Sequence, residues 1–271
     1  MIKWSLISPV NSEGTLNKCL LQSPDIAAVS EVFFQKNYPT AASAYNNAID
    51  RTTADLMIFV HQDVYFPPGW LKALENSLAA LSLADPNWGV LGVWGRQTNG
   101  SPAGHLYWNP VGVGGRPFEG FIEVETLDEV VLIMRKSAGL RFDEAVPGFH
   151  MYGPDICLEA RRRGMRCYAI PAFCVHNNNE YGMLPLDFWR GYLTLRKKWK
   201  TRLPVQTTCT KITYWCWPMV RWNLSRAFNL ITRRDKPPVR RTADPVSLYR
   251  TLAESNQVLQ KCESVSQTAK S

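Results

Sequence analysis

An open α/β fold is what this sequence predicts: a mixed, mostly parallel sheet flanked by helices, followed by a helical C-terminal appendage. Three observations carry that expectation. Apolar runs alternate with amphipathic stretches in the order strand–helix–strand–helix–strand through Trp94, the pattern of a doubly wound sheet. The run Leu56-Met-Ile-Phe-Val60 passes directly into the polar triplet His61-Gln62-Asp63, and ligands in open α/β sheets sit beyond the carboxyl ends of strands. Late in the chain the strands give way to helical patterns with aromatics among Lys and Arg.

Lys3 to Ser8 reads as the first strand, ending at Ser8-Pro9-Val10, and Asn11 to Pro24 as a loop or short helix. Ile26 to Phe34 reads as a second strand. Thr40 to Thr53 reads as a helix because Ala41, Ala44, Tyr45, Ala48 and Ile49 share one face. Leu56 to Val60, closed by the turn at Pro67-Pro68-Gly69, reads as a buried strand. Pro68 suits a helix start, and Trp70, Leu71, Leu74, Leu78 and Leu81 continue at helical spacing. Gly89 to Trp94 is a further strand. Residues 95–118, rich in Gly, Pro and Asn, read as loop. Phe121 to Arg135 reads as two strands around Asp128-Glu129, and Phe142 to His150 as loop. Tyr152 to Gly164 reads as a short helix, with Pro154, Asp155 and Glu159 early, Arg161 to Arg163 in the last turn and Gly164 as the stop. Arg166 to Ile170 and Phe173 to His176 read as short strands. Leu186 to Lys200 and Pro218 to Arg233 read as aromatic-bearing helices. A weaker helical pattern runs through Leu248, Leu252 and Leu259 before a polar tail.

Composition bounds the function classes. A chain of 271 residues, 45% hydrophobic, suits one full-sized domain, expected over 1–205, and a basic, aromatic extension with a frayed tail over 206–271. The net charge of +8 is uneven: residues 196–241 hold 13 Lys/Arg and the single acid Asp235, so the rest of the chain is net acidic. Such a stretch suits phosphates on nucleic acid, anionic lipid or a nucleotide, or is a solvated basic face. Trp199, Trp215, Trp217 and Trp222 within it read either as a membrane-surface segment or as aromatics packed back on the sheet. No nucleic-acid-binding motif accompanies them, so nucleic acid is not an expected partner. Seven cysteines without a C-x-x-C pair or zinc spacing point to reduced thiols and a cytoplasmic setting. Neither a signal peptide nor a membrane-spanning run is expected.

Three polar sites follow in chain order: His61-x-Asp63 and His176 at strand ends, and Asp155 opening a helix. Alternation sends His61 and Asp63 to the same side, and both ligate divalent cations. Transfer of a sugar from a nucleotide sugar needs a metal at the diphosphate and a carboxylate to take the acceptor's proton. Asp63 and His176 suit the metal, with His61 beside the ribose or the metal's water shell, and Asp155 suits the base. Plainer readings stand beside these. Asp155 is also a routine helix-dipole partner, His176 a structural histidine, Asp128-Glu129 a solvated turn, and His150 and Tyr152 packing residues.

The chain resembles the family 2-like glycosyltransferases of GT-A (Rossmann-like) fold, in the bacterial branch with a His-Gln-Asp strand end in place of Asp-x-Asp. Ala42-Ser-Ala-Tyr-Asn-Asn-Ala-Ile49, Phe59-Val-His-Gln-Asp-Val64, Phe142-Asp-Glu with Phe149-His-Met-Tyr-Gly-Pro-Asp-Ile-Cys-Leu-Glu-Ala-Arg-Arg-Arg-Gly164, and Val175-His176 carry the match, in family order. The resemblance implies an inverting, metal-assisted transfer with Mg²⁺ or Mn²⁺. The donor would be a nucleotide sugar and the acceptor a hydroxyl of a bacterial surface glycan or glycolipid. It implies a metal at Asp63, His176 and His61, a nucleotide near Ser8, Pro9, Asn46, His61 and Gln62, and Asp155 as base. Asp128, Glu129, His150 and Tyr152 would line the acceptor. His61 stands where the family more often has an acid, and Pro154 where a second acid usually precedes the base. The Gln-x-x-Arg-Trp motif of processive members is absent, which implies single-sugar addition. A lipid-linked acceptor would give residues 196–241 an anionic membrane surface to meet, at the inner face of the membrane. Two rivals stay open: a nucleotidyltransferase on a similar sheet, opposed by the lack of a Gly-rich triphosphate loop, and a non-catalytic membrane-surface binding module.

Overall fold

The computed structural model describes residues 3–109, 111–179, 184–232, 239–255 and 258. In chain order the elements are β1 (Trp4–Val10), α1 (Glu13–Lys18), β2 (Glu31–Lys36), α2 (Ala41–Arg51), β3 (Leu56–Val60), β4 (Val64–Tyr65), α3 (Trp70–Ala84), β5 (Val90–Gly92), β6 (Trp94–Arg96), β7 (Pro102–Trp108) and β8 (Gly112–Gly115). There follow β9 (Ile122–Val124), β10 (Thr126–Leu127), β11 (Val131–Arg135), α4 (Tyr152–Arg162), β12 (Cys167–Ala169), β13 (Val175–His176), α5 (Leu186–Lys198), β14 (Val205–Gln206), β15 (Lys211–Ile212), α6 (Trp217–Ile231) and α7 (Pro245–Glu254).

The main sheet has seven strands in the order β2-β1-β3-β11-β5-β12-β9. β2, β1 and β3 pair in parallel, as do β5 and β12, while β11 and β9 run against their neighbours. β3 is buried along its whole length, so its five apolar residues need no polar alternation. Successive residues of β1, β3 and β11 point to opposite faces and seed two cores. Ile7, Met57, Phe59, Leu132 and Met134 face α2, α4 and α5, whereas Leu6, Ile58, Val60, Val131 and Ile133 face α1 and α3. A second sheet, β10-β6-β7-β13-β4 with β8 on β7, is built from continuations of the main strands: β4 follows β3, β6 follows β5 and β13 follows β12.

Five expectations need correction, the first being Phe121 to Arg135, which holds three strands, β9, β10 and β11, and not two. Strand β2 starts at Glu31, because Pro24–Ala28 forms a 3₁₀ turn. That turn is tied to the start of α3, with Leu71 N donating to Asp25 Oδ2 at 2.9 Å. Gly89 to Trp94 is two strands in two sheets, parted at Val93. Residues 95–118, expected as loop, hold β7 and β8. Their glycines serve close backbone approach: a Cβ on Gly104 would stand 2.1 Å from the Val93 carbonyl oxygen. The expected boundary at 205 cuts the β14–β15 hairpin, whose Val205 and Ile212 lie in the α2/α4/α5 core. The hairpin is also held by Gln206 N on Glu125 Oε2 at 2.8 Å. The helical pattern at Leu259 lies outside the described residues.

Candidate active site

Strand ends deliver the first site residues. After β3, His61 N donates to Val130 O and Val64 N to His61 O, both at 3.2 Å, so the triplet is a tight turn between β3 and β4. β13 pairs antiparallel with β4, setting His176 opposite Val64. The ligand atoms of His61, Asp63 and His176 consequently lie within 4.8 Å of one another. His176 Nε2 is 3.4 Å from Asp63 Oδ1, and His61 Nε2 is 2.9 Å from the Tyr152 hydroxyl.

The charges are sorted by environment. Burial, with His176 next, lowers the His61 pKa to about 4, so this imidazole is neutral. Burial alone would raise the Asp63 carboxyl, but His176, His61 and Arg241 outweigh it and hold Asp63 ionised, well below the usual carboxylate range. Burial depresses His176, yet the Asp63 carboxylate lifts it above its ordinary value.

A strap from far along the chain closes one side. Thr242 N donates to Asn177 Oδ1 at 2.8 Å, Asn177 Nδ2 returns a bond to Thr242 O at 2.9 Å, and Arg241 N donates to Asn179 Oδ1 at 3.0 Å. This places Arg241 with one guanidinium nitrogen 3.5 Å from Asp63 Oδ2 and another 2.5 Å from Thr15 Oγ1. Its Nε is buried and has no hydrogen-bond partner among the described residues.

These groups open onto a cavity of about 320 Å³ that is also lined by Asp128, Glu129 and His150, with Trp94, Trp108 and Phe188 as flat apolar walls. Asp128 is fixed on both oxygens, by Thr208 Oγ1 at 2.6 Å and Val130 N at 3.2 Å. Glu129 accepts from Gly153 N at 3.4 Å. Burial, reinforced by Asp128, pushes its carboxyl up to about 8. Tyr152 stands behind the cavity, its hydroxyl 3.3 Å from that of Tyr45.

Other expected residues are not brought together here. Asp155 is 2% exposed, and it faces the end of α5. Its Oδ1 accepts from Trp199 Nε1 at 2.7 Å and its Oδ2 from Lys198 Nζ at 2.8 Å. A buried carboxylate needs such partners; the C-terminal end of α5 and Trp199 just past it supply them, and Asp155 does not line the cavity. Asn46 is spent on a loop, donating to Phe142 O at 2.9 Å and accepting from Phe142 N at 3.1 Å. Gln62 accepts from the backbone of Asn11 and Ser12 at 3.1 and 3.0 Å. Ser8 is fully buried. None of Ser8, Pro9, Asn46 and Gln62 lines the cavity. Arg241, Thr208 and Asn179 do, and the sequence reading missed them. Arg241 sits in a basic run that composition treats as one face, and no periodicity marks it out.

The sequence matches the glycosyltransferase-like family over residues 5–184. A Fuscovulum blasticum protein named ATP synthase subunits region ORF 6 is 34% identical over 170 residues, 60% of this chain and 66% of that protein. Among solved structures, GalNAc-T7 with UDP, GalNAc and Mn²⁺ aligns over 65% of this chain and 44% of its own, at 8% identity and TM-score 0.47. S. aureus TarS 1-349 in complex with UDP-GlcNAc aligns over 73% and 66%, at 16% identity and TM-score 0.46. The mannosyltransferase PcManGT from Pyrobaculum calidifontis, in complex with GDP-Man and Mn²⁺, aligns over 64% and 56%, at 11% identity and TM-score 0.40. The chain thus spans 66% or less of each of these proteins, and scores this low set no residue-by-residue correspondence.

Proposed function

We propose, for a chain that belongs to the glycosyltransferase-like family by its match over residues 5–184, the inverting transfer of one sugar from a nucleotide sugar to an acceptor hydroxyl. The observation that carries it is the convergence of His61, Asp63 and His176 at a cavity walled by Asp128, Glu129 and His150. The inverting course and a bacterial surface glycan or glycolipid as acceptor rest on the family resemblance.

Two imidazoles and an ionised carboxylate fit a divalent cation, and nitrogen donors suit Mn²⁺ better than Mg²⁺, which prefers oxygen alone. Bound there, the ion would neutralise charge on the departing diphosphate. Arg241 adds a fixed cation on the same side, with guanidinium nitrogens suited to phosphate oxygens. Asp128 and His150 offer polar contacts to acceptor hydroxyls, and Trp94, Trp108 and Phe188 offer flat faces for sugar rings.

A screen of UDP-, GDP- and dTDP-sugars with Mn²⁺, reading nucleoside diphosphate against pyrophosphate, tests the reading. Nucleoside diphosphate release that vanishes in Asp63→Ala is expected. Pyrophosphate release would establish the nucleotidyltransferase alternative, and no turnover of any donor would overturn transfer.

A second part of the proposal is docking on an anionic membrane surface. One face of α6 packs on the core through Met219 and Trp222. The other carries Trp217, Val220, Leu224, Phe228 and Ile231 at three- and four-residue steps, 62%, 39%, 61%, 54% and 81% exposed. Arg221 and Arg226 stand on the same helix, and no helix among the described residues is long and apolar enough to cross a membrane. This helix suits lying in an interface. It narrows the broad basic segment, since Lys198 and Arg241 bond inward to Asp155 and Asp63. Sedimentation with phosphatidylglycerol vesicles, lost in Leu224→Glu/Phe228→Glu, is the expected result; equal recovery without vesicles would sink the idea.

A further inference from the structure

With Asp155 engaged by Lys198 and Trp199 and absent from the cavity lining, the transferase reading needs another group to take the acceptor's proton. We propose that Glu129, in the turn before β11, is that general base. Its carboxylate takes the hydroxyl proton as the acceptor oxygen bonds to the anomeric carbon. The anomeric C–O bond breaks, and its electron pair leaves with the nucleoside diphosphate. The inference rests on the transferase reading and deepens it.

The first support is place. Glu129 lines the cavity shared with His61, Asp63 and His176, and accepts from Gly153 N in the first turn of α4 at 3.4 Å. Gly153 has no side chain because there is no room for one. A Cβ there would stand 2.8 Å from Leu127 O, 3.1 Å from Glu129 Cγ and 3.3 Å from Glu129 Cδ. Glu129 therefore fills the space above the mouth of α4. Glu129 thus sits over the N-terminal end of α4 from a neighbouring turn, while the helix's own first-turn acid, Asp155, is spent on Lys198 and Trp199.

The second support is the state of the competing groups. Asp128 has both oxygens committed, to Thr208 and to Val130 N. Asp155 is locked to Lys198 and Trp199. Burial lowers His150, making it a poorer proton acceptor than an ordinary imidazole. Burial acts on Glu129 in the opposite sense, raising its carboxyl to about 8 and its basicity with it. A base matched to near-neutral pH is the efficient kind.

The test uses the full-length chain and whichever nucleotide sugar the donor screen shows to be consumed. Glu129→Gln, which keeps the size of the side chain, should slow transfer by roughly 10²- to 10⁴-fold. Binding of the corresponding nucleoside diphosphate with Mn²⁺ should stay within about twofold of wild type. Glu129→Ala should be rescued by azide, which has no proton to remove, yielding a glycosyl azide. Wild-type transfer rates in Glu129→Gln would overturn the proposal. So would joint loss of transfer and nucleotide binding without azide rescue, the pattern of a structural role. Failure of the transferase reading looks different: the wild type itself would then release no nucleoside diphosphate from any donor.

Discussion

Two aspartates show how differently this chain uses the same side chain. Asp63, at the end of β3, is paired with His176 and Arg241 and lines the cavity. Asp155, in the first turn of α4, is paired with Lys198 and Trp199 and faces the end of α5. Asp155 is buried and Asp63 is largely so, and burial disfavours the charge of both. Around Asp63 the histidines and arginine win, so a charged, accessible carboxylate survives. Around Asp155 burial wins, and its carboxyl is raised. The lesson is that burial and partnering alone do not mark a reacting group; an opening toward a ligand is also required.

The strongest way to break that contrast is at the strand end. Asp63→Ala should cut donor turnover by roughly 10³-fold, the several kcal/mol of charge stabilisation a metal supplies, with an unchanged circular dichroism spectrum. Asp155→Ala should do the reverse. It strands the Trp199 indole N–H without its acceptor, costing about 1–3 kcal/mol of stability in urea unfolding, and turnover per folded molecule should stay within about threefold. A large turnover loss in Asp155→Asn, which keeps an acceptor for Trp199, would restore Asp155 to the reaction.

Glu129 sharpens the contrast through pH. Its folded-state carboxyl lies near 8 against an ordinary 4.5, so the folded chain holds that proton longer than the unfolded one. Its contribution to stability therefore falls as pH rises from about 4.5 to about 8 and then levels. Glu129→Gln should flatten that slope and stabilise the protein at pH 8 relative to pH 5, seen as a smaller fall in Tm between those two pH values. The smallest effect belongs to the strap. Arg241→Ala should weaken nucleoside diphosphate binding about tenfold, as loss of one charge-assisted contact does, measured by calorimetric titration.

Residues whose role follows from local pattern were legible in the sequence. The buried run Leu56–Val60 and the helix opened by Tyr152 are where periodicity and punctuation set them. The convergence of His61, Asp63 and His176 was readable because all three stand at strand ends, and strand ends converge in this fold. The β7–β8 hairpin was not readable, because glycine marks loops and close-packed strands alike. Asp155 misled for a similar reason. A helix's first turn attracts acids electrostatically, and only tertiary packing shows which way such an acid faces. Arg241 was hidden within a charge run, its bond to Asp63 spanning 178 positions of chain.

The crowding above α4 also makes residue 153 a one-way constraint on mutation. Any side chain there would press on the Leu127 carbonyl oxygen, 2.8 Å from the new Cβ, and only more mildly on Glu129. Gly153→Ala should therefore be poorly tolerated even when Glu129 is trimmed to glycine, and a double-mutant cycle between the two positions should show only a small favourable coupling.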